Sequence, residues 1–398
     1  MANVTRKAIV LPGAGARGAY QVGVLKAIAR ILPERAPNPF AIISGTSAGA
    51  INGAVLASRA QNFERAVADM ERVWSNFSAD QVFRTDSWTM LKTSIYWFVT
   101  VVTGGLATHT PTSLLDSSPL RALLKRRVRF ARIAKAIDRG QVEALAVTAS
   151  AYTSARSVTF YQSRDTIPPW ARVRRIGRPA QITLDHLLAS AAVPFIFPPV
   201  RIGGEYYGDG SMRHRAPLSS PIHLGADRML VVGVRDEHPD PEPRADVPTR
   251  SPSFAHVAGY MLDTLFMDGL YADLERITRI NLMLEQLGTA KLKPPIATLR
   301  PLHTLVIVPK EDLRHVAARH VHELPRPLRL LLRGLGALNQ DGMQLVSYLL
   351  FESGFTRELI EMGYRDALAM EEELRAFIFD QPMETLDAPI HLKLDLTR

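Results

Sequence analysis

Twice in its first 60 residues the chain runs a short apolar segment into a glycine turn and out into a helical pattern. Lys7 to Leu11 (KAIVL) ends at Pro12-Gly13, and Ala19 to Ile31 follows with Val24, Leu25, Ile28 and Ile31 at helical spacing. After a loop at Pro33 to Pro39, Phe40 to Ile43 forms the second apolar run. It turns through Ser44-Gly45 into Ala48 to Arg59, which is rich in small residues and free of proline. Strand, glycine turn and helix in that order, twice, predict an α/β fold around a parallel sheet.

The rest of the chain fills out that plan. Asn62 to Phe77 reads as helix. Ala144 to Ala151 and Val158 to Gln162 read as a hairpin joined at Tyr152 to Arg156, Leu184 to Ala192 as a helix stopped by Pro194, and Met229 to Val234 and Leu305 to Val308 as buried strands. Phe254 to Leu287 is a long helical pattern, and Leu328 to Phe379 is helical with breaks expected at Gly334, Gly342 and Gly354. Residues 78–118 are irregular and suit a cap or lid, and 236–252, rich in proline and charge, suit a surface loop. The expected organisation is a catalytic domain over 1–310 and a C-terminal helical extension over 311–398.

Two glycine motifs sit at the two turns. Gly13-Ala14-Gly15-Ala16-Arg17-Gly18 is G-x-G-x-x-G between strand and helix. The dinucleotide version of this motif needs an acidic residue ending the next strand. Here that strand ends in Ser44-Gly45, so the nucleotide reading fails. Glycines that let backbone amides approach an anion at a helix N-terminus suit an oxyanion hole equally well, and a plain tight turn is the simpler alternative. Gly45-Thr46-Ser47-Ala48-Gly49 is G-x-S-x-G on a strand-to-helix turn, the setting that lifts a nucleophilic serine out of the chain. A classical α/β-hydrolase elbow follows several strands, and only one strand precedes this elbow's own. The late histidines, His303, His315, His320, His322 and His391, read as surface or loop residues.

A third block completes a resemblance. Leu11 to Leu25, Ser44 to Gly53, and Ala189-Ser-Ala-Ala-Val-Pro194 running through Phe197-Pro-Pro199 to Tyr207-Gly-Asp-Gly210 resemble the patatin-like phospholipases in content, order and spacing. Asp116-Ser-Ser-Pro-Leu120 resembles the family's segment before its basic helix. The likeness is specific over roughly residues 7–235. It implies a three-layer α/β/α fold with a mainly parallel central sheet, a catalytic dyad without histidine, and neither metal nor cofactor. Ser47 matches the nucleophile and Asp209 the base; Gly13, Ala14, Gly15, Arg17 and Gly18 match the oxyanion loop; Gly45 and Gly49 flank the elbow, and Gly210 follows the base. Two positions depart from the family pattern. Ala14 replaces a glycine, which costs about 1 kcal/mol or more if that residue must take positive φ. Ser211 replaces a glycine or alanine, with little effect expected.

The implied activity is a lipid acyl-hydrolase of the phospholipase, lysophospholipase or esterase type. An acyltransferase with the same dyad and a non-catalytic lipid-binding scaffold are the alternatives. Arg17 serves either a phosphate head group or a structural ion pair, and the aromatics from Trp88 to Phe98 either an acyl pocket or lid or the ordinary core. The net charge of +9 fits plain solubility or an anionic partner. Arg121 to Lys135 reads as a basic amphipathic helix suited to peripheral contact with an anionic membrane; no nucleic-acid motif accompanies it. With no cysteine, no signal-peptide core and no apolar run long enough to span a bilayer, the chain reads as cytoplasmic and at most peripheral to a membrane.

Overall fold

The computed structural model describes residues 5–84, 113–213, 216–236, 251–287, 299–339 and 342–382. The first half runs β1 (Lys7–Leu11), α1 (Gly18–Ile31), β2 (Ile42–Thr46), α2 (Ala48–Ser58), α3 (Phe63–Trp74), α4 (Ser118–Arg127), α5 (Phe130–Asp138), β3 (Ala144–Ala151), β4 (Ser157–Ser163), β5 (Trp170–Arg172) and β6 (Arg175–Pro179). It continues with α6 (Leu184–Ser190), β7 (Val200–Ile202), β8 (Glu205–Asp209), α7 (Ser219–His223), β9 (Arg228–Val232), α8 (Phe254–Asp263), α9 (Gly269–Leu287) and β10 (His303–Ile307). The remaining helices are α10 (Leu313–His320), α11 (Arg326–Gly334), α12 (Met343–Leu349), α13 (Ser353–Leu368) and α14 (Glu371–Ile378).

Among the described residues ten strands form one sheet; eight run in the order β10-β9-β1-β2-β3-β4-β6-β5, and off this path β8 pairs with β3 and β7 with β8. From β10 to β3 all neighbours are parallel. β1, β2, β3 and β9 are buried along almost every residue. A strand buried on both faces requires helices on both faces, which is the three-layer arrangement. Beyond β3 the sheet is mixed: the β3–β4 hairpin and the β5–β6 pair are antiparallel, while β4 and β6 run parallel.

One detail of the sheet positions Ser47 and Asp209. β4 occupies one edge of β3 from Ala144 to Ser150. The other edge is shared end to end by two strands. β2, parallel to β3, ends with Thr46 opposite Thr148; β8, antiparallel to β3, ends with Asp209 opposite Ala149. Two strands that run toward each other along one edge bring their C-terminal ends together. Ser47 follows the first, and Asp209 closes the second.

Several expectations shift in the structure. The second strand covers Ile42–Thr46 and not Phe40–Ile43: Phe40 packs outside it against Phe63 and Phe377, while the small residues Ser44 to Thr46 fit between β1 and β3. The basic segment 121–135 is two helices, not one. Val128 turns extended to reach the core, and its neighbours Arg127 and Arg129 stay outside. Leu120, Leu123, Leu124, Ile133 and Ile137 are buried, so the apolar sides of both helices are spent inside the protein. Gly354 does not break the C-terminal helices; it is the second residue of α13. Most of the cap region, including Trp88 to Phe98, and most of 236–252 lie outside the described residues.

The C-terminal helices pack on the strand-bearing body. α13 crosses α1 along its length, with the Tyr20 hydroxyl donating to Asp366 at 3.1 Å. Lys7 reaches the Ile378 carbonyl and Asp380 at the end of α14.

Candidate active site

Ser47 stands between β2 and α2 at φ 54, ψ −128, a conformation that side chains other than glycine rarely adopt. Strain of this kind persists only when the surroundings fix it. The Ser47 amide donates to Ser190 Oγ at 2.8 Å, and the Ser190 hydroxyl donates to the Thr148 carbonyl at 2.6 Å. The Ser47 carbonyl accepts from the amides of Ala50 and Ile51 in the first turn of α2. Gly49 lies so close to β1 that a Cβ there would land on the Leu11 carbonyl. Gly45 ends the turn's approach, paired in register with Leu11 and Val147.

Asp209 is fully buried. Its amide donates to the Ala192 carbonyl at 2.7 Å, and its Oδ1 accepts from the Ser211 amide at 2.9 Å. Oδ2 is buried and closes no hydrogen bond among the described residues. Burial pushes the carboxyl up to about 6, against the Ser47 hydroxyl and the Ser211 amide and hydroxyl, which favour the charged form. Ser211, the residue that departs from the family pattern, therefore acts on the carboxylate. Gly210 carries the chain past β3, with its carbonyl held by the Ser150 hydroxyl at 3.1 Å. The C-terminal end of α6 and the two residues after it, Ser190–Ala192, tie down both members of the pair: Ser190 holds the backbone of Ser47 and Ala192 that of Asp209. The spacing in the sequence gave no hint of this role for Ser190.

The glycine loop lies beside Ser47 at the end of β1. Gly15 has φ +52 and crowds the Tyr348 carbonyl, so a side chain there is excluded on both counts. Ala14 has φ −147, so the cost expected of an alanine at positive φ does not arise. Gly13 faces Ser211 and the Phe266 ring, and Gly18 begins α1 with its carbonyl accepting from Asn52 Nδ2 at 3.2 Å.

Arg17 does not point toward a substrate. It is buried, with Nε and Nη2 donating to Ser347 Oγ at 3.0 and 2.7 Å. Nη1 pairs with Asp263 at 3.3 Å and donates to the Val234 carbonyl at 3.2 Å. Its guanidinium lies 3.9 Å from the centre of the Tyr348 ring. The structural ion pair is thus the role the structure gives this arginine. Its side-chain partners come from α8 and α12, far along the chain, and no local sequence signal marks them.

Ser47 opens on a largely apolar cavity. Ala48, Ile51, Asn52, Val55 and Arg59 line it at helical spacing, so it follows α2 from the serine for roughly 17 Å at 1.5 Å per residue. Trp74 and Phe77, Leu120 and Leu124 on α4, Phe266 and Tyr348 supply further apolar walls; Arg59, Asp69 and Arg127 also border it. A short π-helical turn at Thr264–Asp268 follows α8 and presents Phe266 to this space.

The late histidines take other roles. His320 bridges Glu323 and Glu358, His322 bonds the Arg319 carbonyl, His303 opens β10, and His315 is exposed near Asp312; His391 lies outside the described residues. Among the described residues no group of three or more acidic or histidine side chains is placed to hold a metal ion. Among them, too, no helix is long and apolar enough to cross a membrane.

Comparison with known proteins places the chain. A region of 90 residues is 41% identical to Lysophospholipase nte1 of Aspergillus terreus (strain NIH 2624 / FGSC A1156), covering 20% of this chain and 5% of that protein. The chain thus spans only a small part of that relative's length. Among solved structures, VipD from Legionella pneumophila is similar over 89% of this chain and 67% of its own, at 13% identity and a TM-score of 0.31. The sequence model of the patatin-like phospholipases matches residues 9–222, more than half the chain and all three blocks that carry Ser47 and Asp209. The chain belongs to the patatin-like phospholipase family.

Proposed function

We propose that this chain is a lipid acyl-hydrolase that cleaves carboxylic esters of glycerolipids or phospholipids, with Ser47 as nucleophile and Asp209 as its base. One observation carries the reading. A strained, buried serine faces a long apolar cavity and has beside it a buried carboxylate with one oxygen unengaged. Family membership and the lysophospholipase relative point the same way.

The chemistry follows from the placement. Asp209, whose carboxyl is raised to about 6, is ionised at neutral pH yet more basic than an ordinary carboxylate. It takes the Ser47 proton as Oγ attacks the ester carbonyl. The negative charge that develops on the carbonyl oxygen rests on backbone amides of the Gly13–Gly18 loop, at the N-terminus of α1. Collapse of this intermediate breaks the ester C–O bond; the proton passes from Asp209 to the leaving alcohol, and the acyl group stays on Ser47. Water, deprotonated by Asp209, then attacks the acyl-enzyme. The second intermediate collapses to fatty acid, and the proton returns to Ser47. Each step closes on these groups alone. The acyl chain lies along α2, where Ile51 and Val55 remove it from water. The exposed Lys125, Arg126 and Arg127 of α4 and Arg132 and Lys135 of α5 favour an anionic lipid surface by charge alone. A chain without cysteine suits the cytoplasmic side of such a membrane.

A fluorophosphonate tests the nucleophile directly. The native chain should be labelled at Ser47 and the Ser47→Ala variant should not; labelling elsewhere, or none in the native chain, would sink the assignment.

A further inference from the structure

Helix α8 is built inside out. Its outward residues are Phe254, Val257, Tyr260 and Met261, exposed by 67%, 45%, 68% and 54%. Its inward residues are Ala255, Gly259, Leu262 and Asp263. An ordinary surface helix turns its large apolar residues inward. This helix cannot roll to do so. Gly259 sits against Gln344 and Leu345 of α12 with no room for a Cβ, and Asp263 is held inside by Arg17, Arg235 and Tyr348. The apolar stripe is therefore fixed toward solvent.

Helix α11 continues the stripe. The Ala255 amide donates to the Leu335 carbonyl at 3.2 Å, which ties the end of α11 to the start of α8. Leu330, on the outer face of α11, is 70% exposed. Arg326 and Arg333 flank it, exposed and without an ion pair among the described residues. Neither helix exposes an acidic side chain. Large apolar and aromatic residues beside unpaired arginines match the boundary of an anionic bilayer, where apolar groups enter the acyl region and cations meet the head groups. A second copy of the chain fits less well, because a self-complementary contact would gather four of these arginines around one face with no acid from either helix to offset them.

We infer that α8 and α11 form the face by which this protein seats on an anionic phospholipid membrane, with Phe254, Val257, Tyr260, Met261 and Leu330 entering the bilayer. The apolar sides of α4 and α5 lie in the core, so insertion belongs to this face, and those two helices add charge only. Met261 and Leu262 are neighbours: one faces the bilayer, and the next lines the cavity at Ser47. The choice of a membrane as partner rests on the lipid-hydrolase reading. The test reads binding and not hydrolysis, so the two fail separately.

The test is co-sedimentation of the full chain with vesicles of phosphatidylcholine, alone or mixed with phosphatidylglycerol. The native chain and Ser47→Ala should bind the mixed vesicles equally. The triple variant Phe254→Ser/Tyr260→Ser/Met261→Ser should lose binding about tenfold or more, while hydrolysis of a soluble short-chain ester is unchanged. Arg326→Glu/Arg333→Glu should lose binding to mixed vesicles and leave binding to phosphatidylcholine alone as it was. Tyr260→Trp gives a check that removes little apolar area: the difference between its emission and that of the native chain, which carries four tryptophans of its own, should shift to the blue when vesicles are added. Undiminished binding by the triple variant, or a tryptophan at 260 that vesicles do not move, would overturn the inference. So would a native dimer that the triple variant converts to a monomer while vesicle binding persists.

Discussion

Replacing the proposed base should make this protein more stable while it removes activity. Asp209 is buried, and its carboxyl ionises at about 6 in place of 3.8. Each tenfold change in proton affinity is worth about 1.4 kcal/mol, so holding the charge inside costs the native state roughly 3 kcal/mol at neutral pH. The sign follows from proton counts. Between about pH 4 and pH 6 the native chain holds a proton that the unfolded chain has released. Stability therefore falls as pH rises through that window, and the loss is complete above it. An amide at this position carries no charge, and its oxygen still accepts from the Ser211 amide. Unfolding midpoints of the native chain and of Asp209→Asn should coincide near pH 4 and separate as pH rises, the variant ending higher by roughly 3 kcal/mol. Thermal or urea unfolding across that range reads this directly. Equal stability at all pH values, or a variant weaker than the native chain at neutral pH, would refute the picture of an ionised, buried and incompletely bonded carboxylate.

Other consequences follow from single contacts. Ser211→Ala removes a hydroxyl that favours the charged form of Asp209, so the acid limb of the pH–rate profile, expected near 6, should move to higher pH. Arg17→Met strips Asp263 of one cation and leaves it Arg235, which should cost about 3 kcal/mol, the low end for a broken buried pair, and should lower the rate with a short ester by loosening the glycine loop. Val55→Trp blocks the cavity partway along α2. It should reduce kcat/KM for long-chain esters about tenfold or more and leave short-chain esters unaffected, as a chain-length series will show.

Much of this site was legible in the sequence because its requirements are local. A serine between glycines on a strand-to-helix turn, and a glycine loop ending another strand, are short-range features with few ways to be satisfied. Asp209 came from the resemblance. The sheet supplies the physical reason: β2 and β8 meet along one edge of β3, a long-range pairing that no local pattern encodes. The same limit hid Ser190 and the partners of Arg17. Asp263, Ser347 and Tyr348 lie more than 200 residues from Arg17 in the chain, and each looks like an ordinary helical residue. The single basic helix read over 121–135 fails for a related reason. Neither glycine nor proline marks the break, and Val128 leaves helical geometry only because the core takes its side chain. The inverted face of α8 was invisible too, since Phe254 to Leu287 carries a helical pattern whichever side looks inward.

The dyad itself is tested most directly by fatty acid release from a short-chain ester and from phospholipid vesicles, comparing the native chain with Ser47→Ala and Asp209→Asn, each confirmed folded. The account predicts release by the native chain and its loss in both variants, with Asp209→Asn inactive although more stable. Full activity in Ser47→Ala would contradict it.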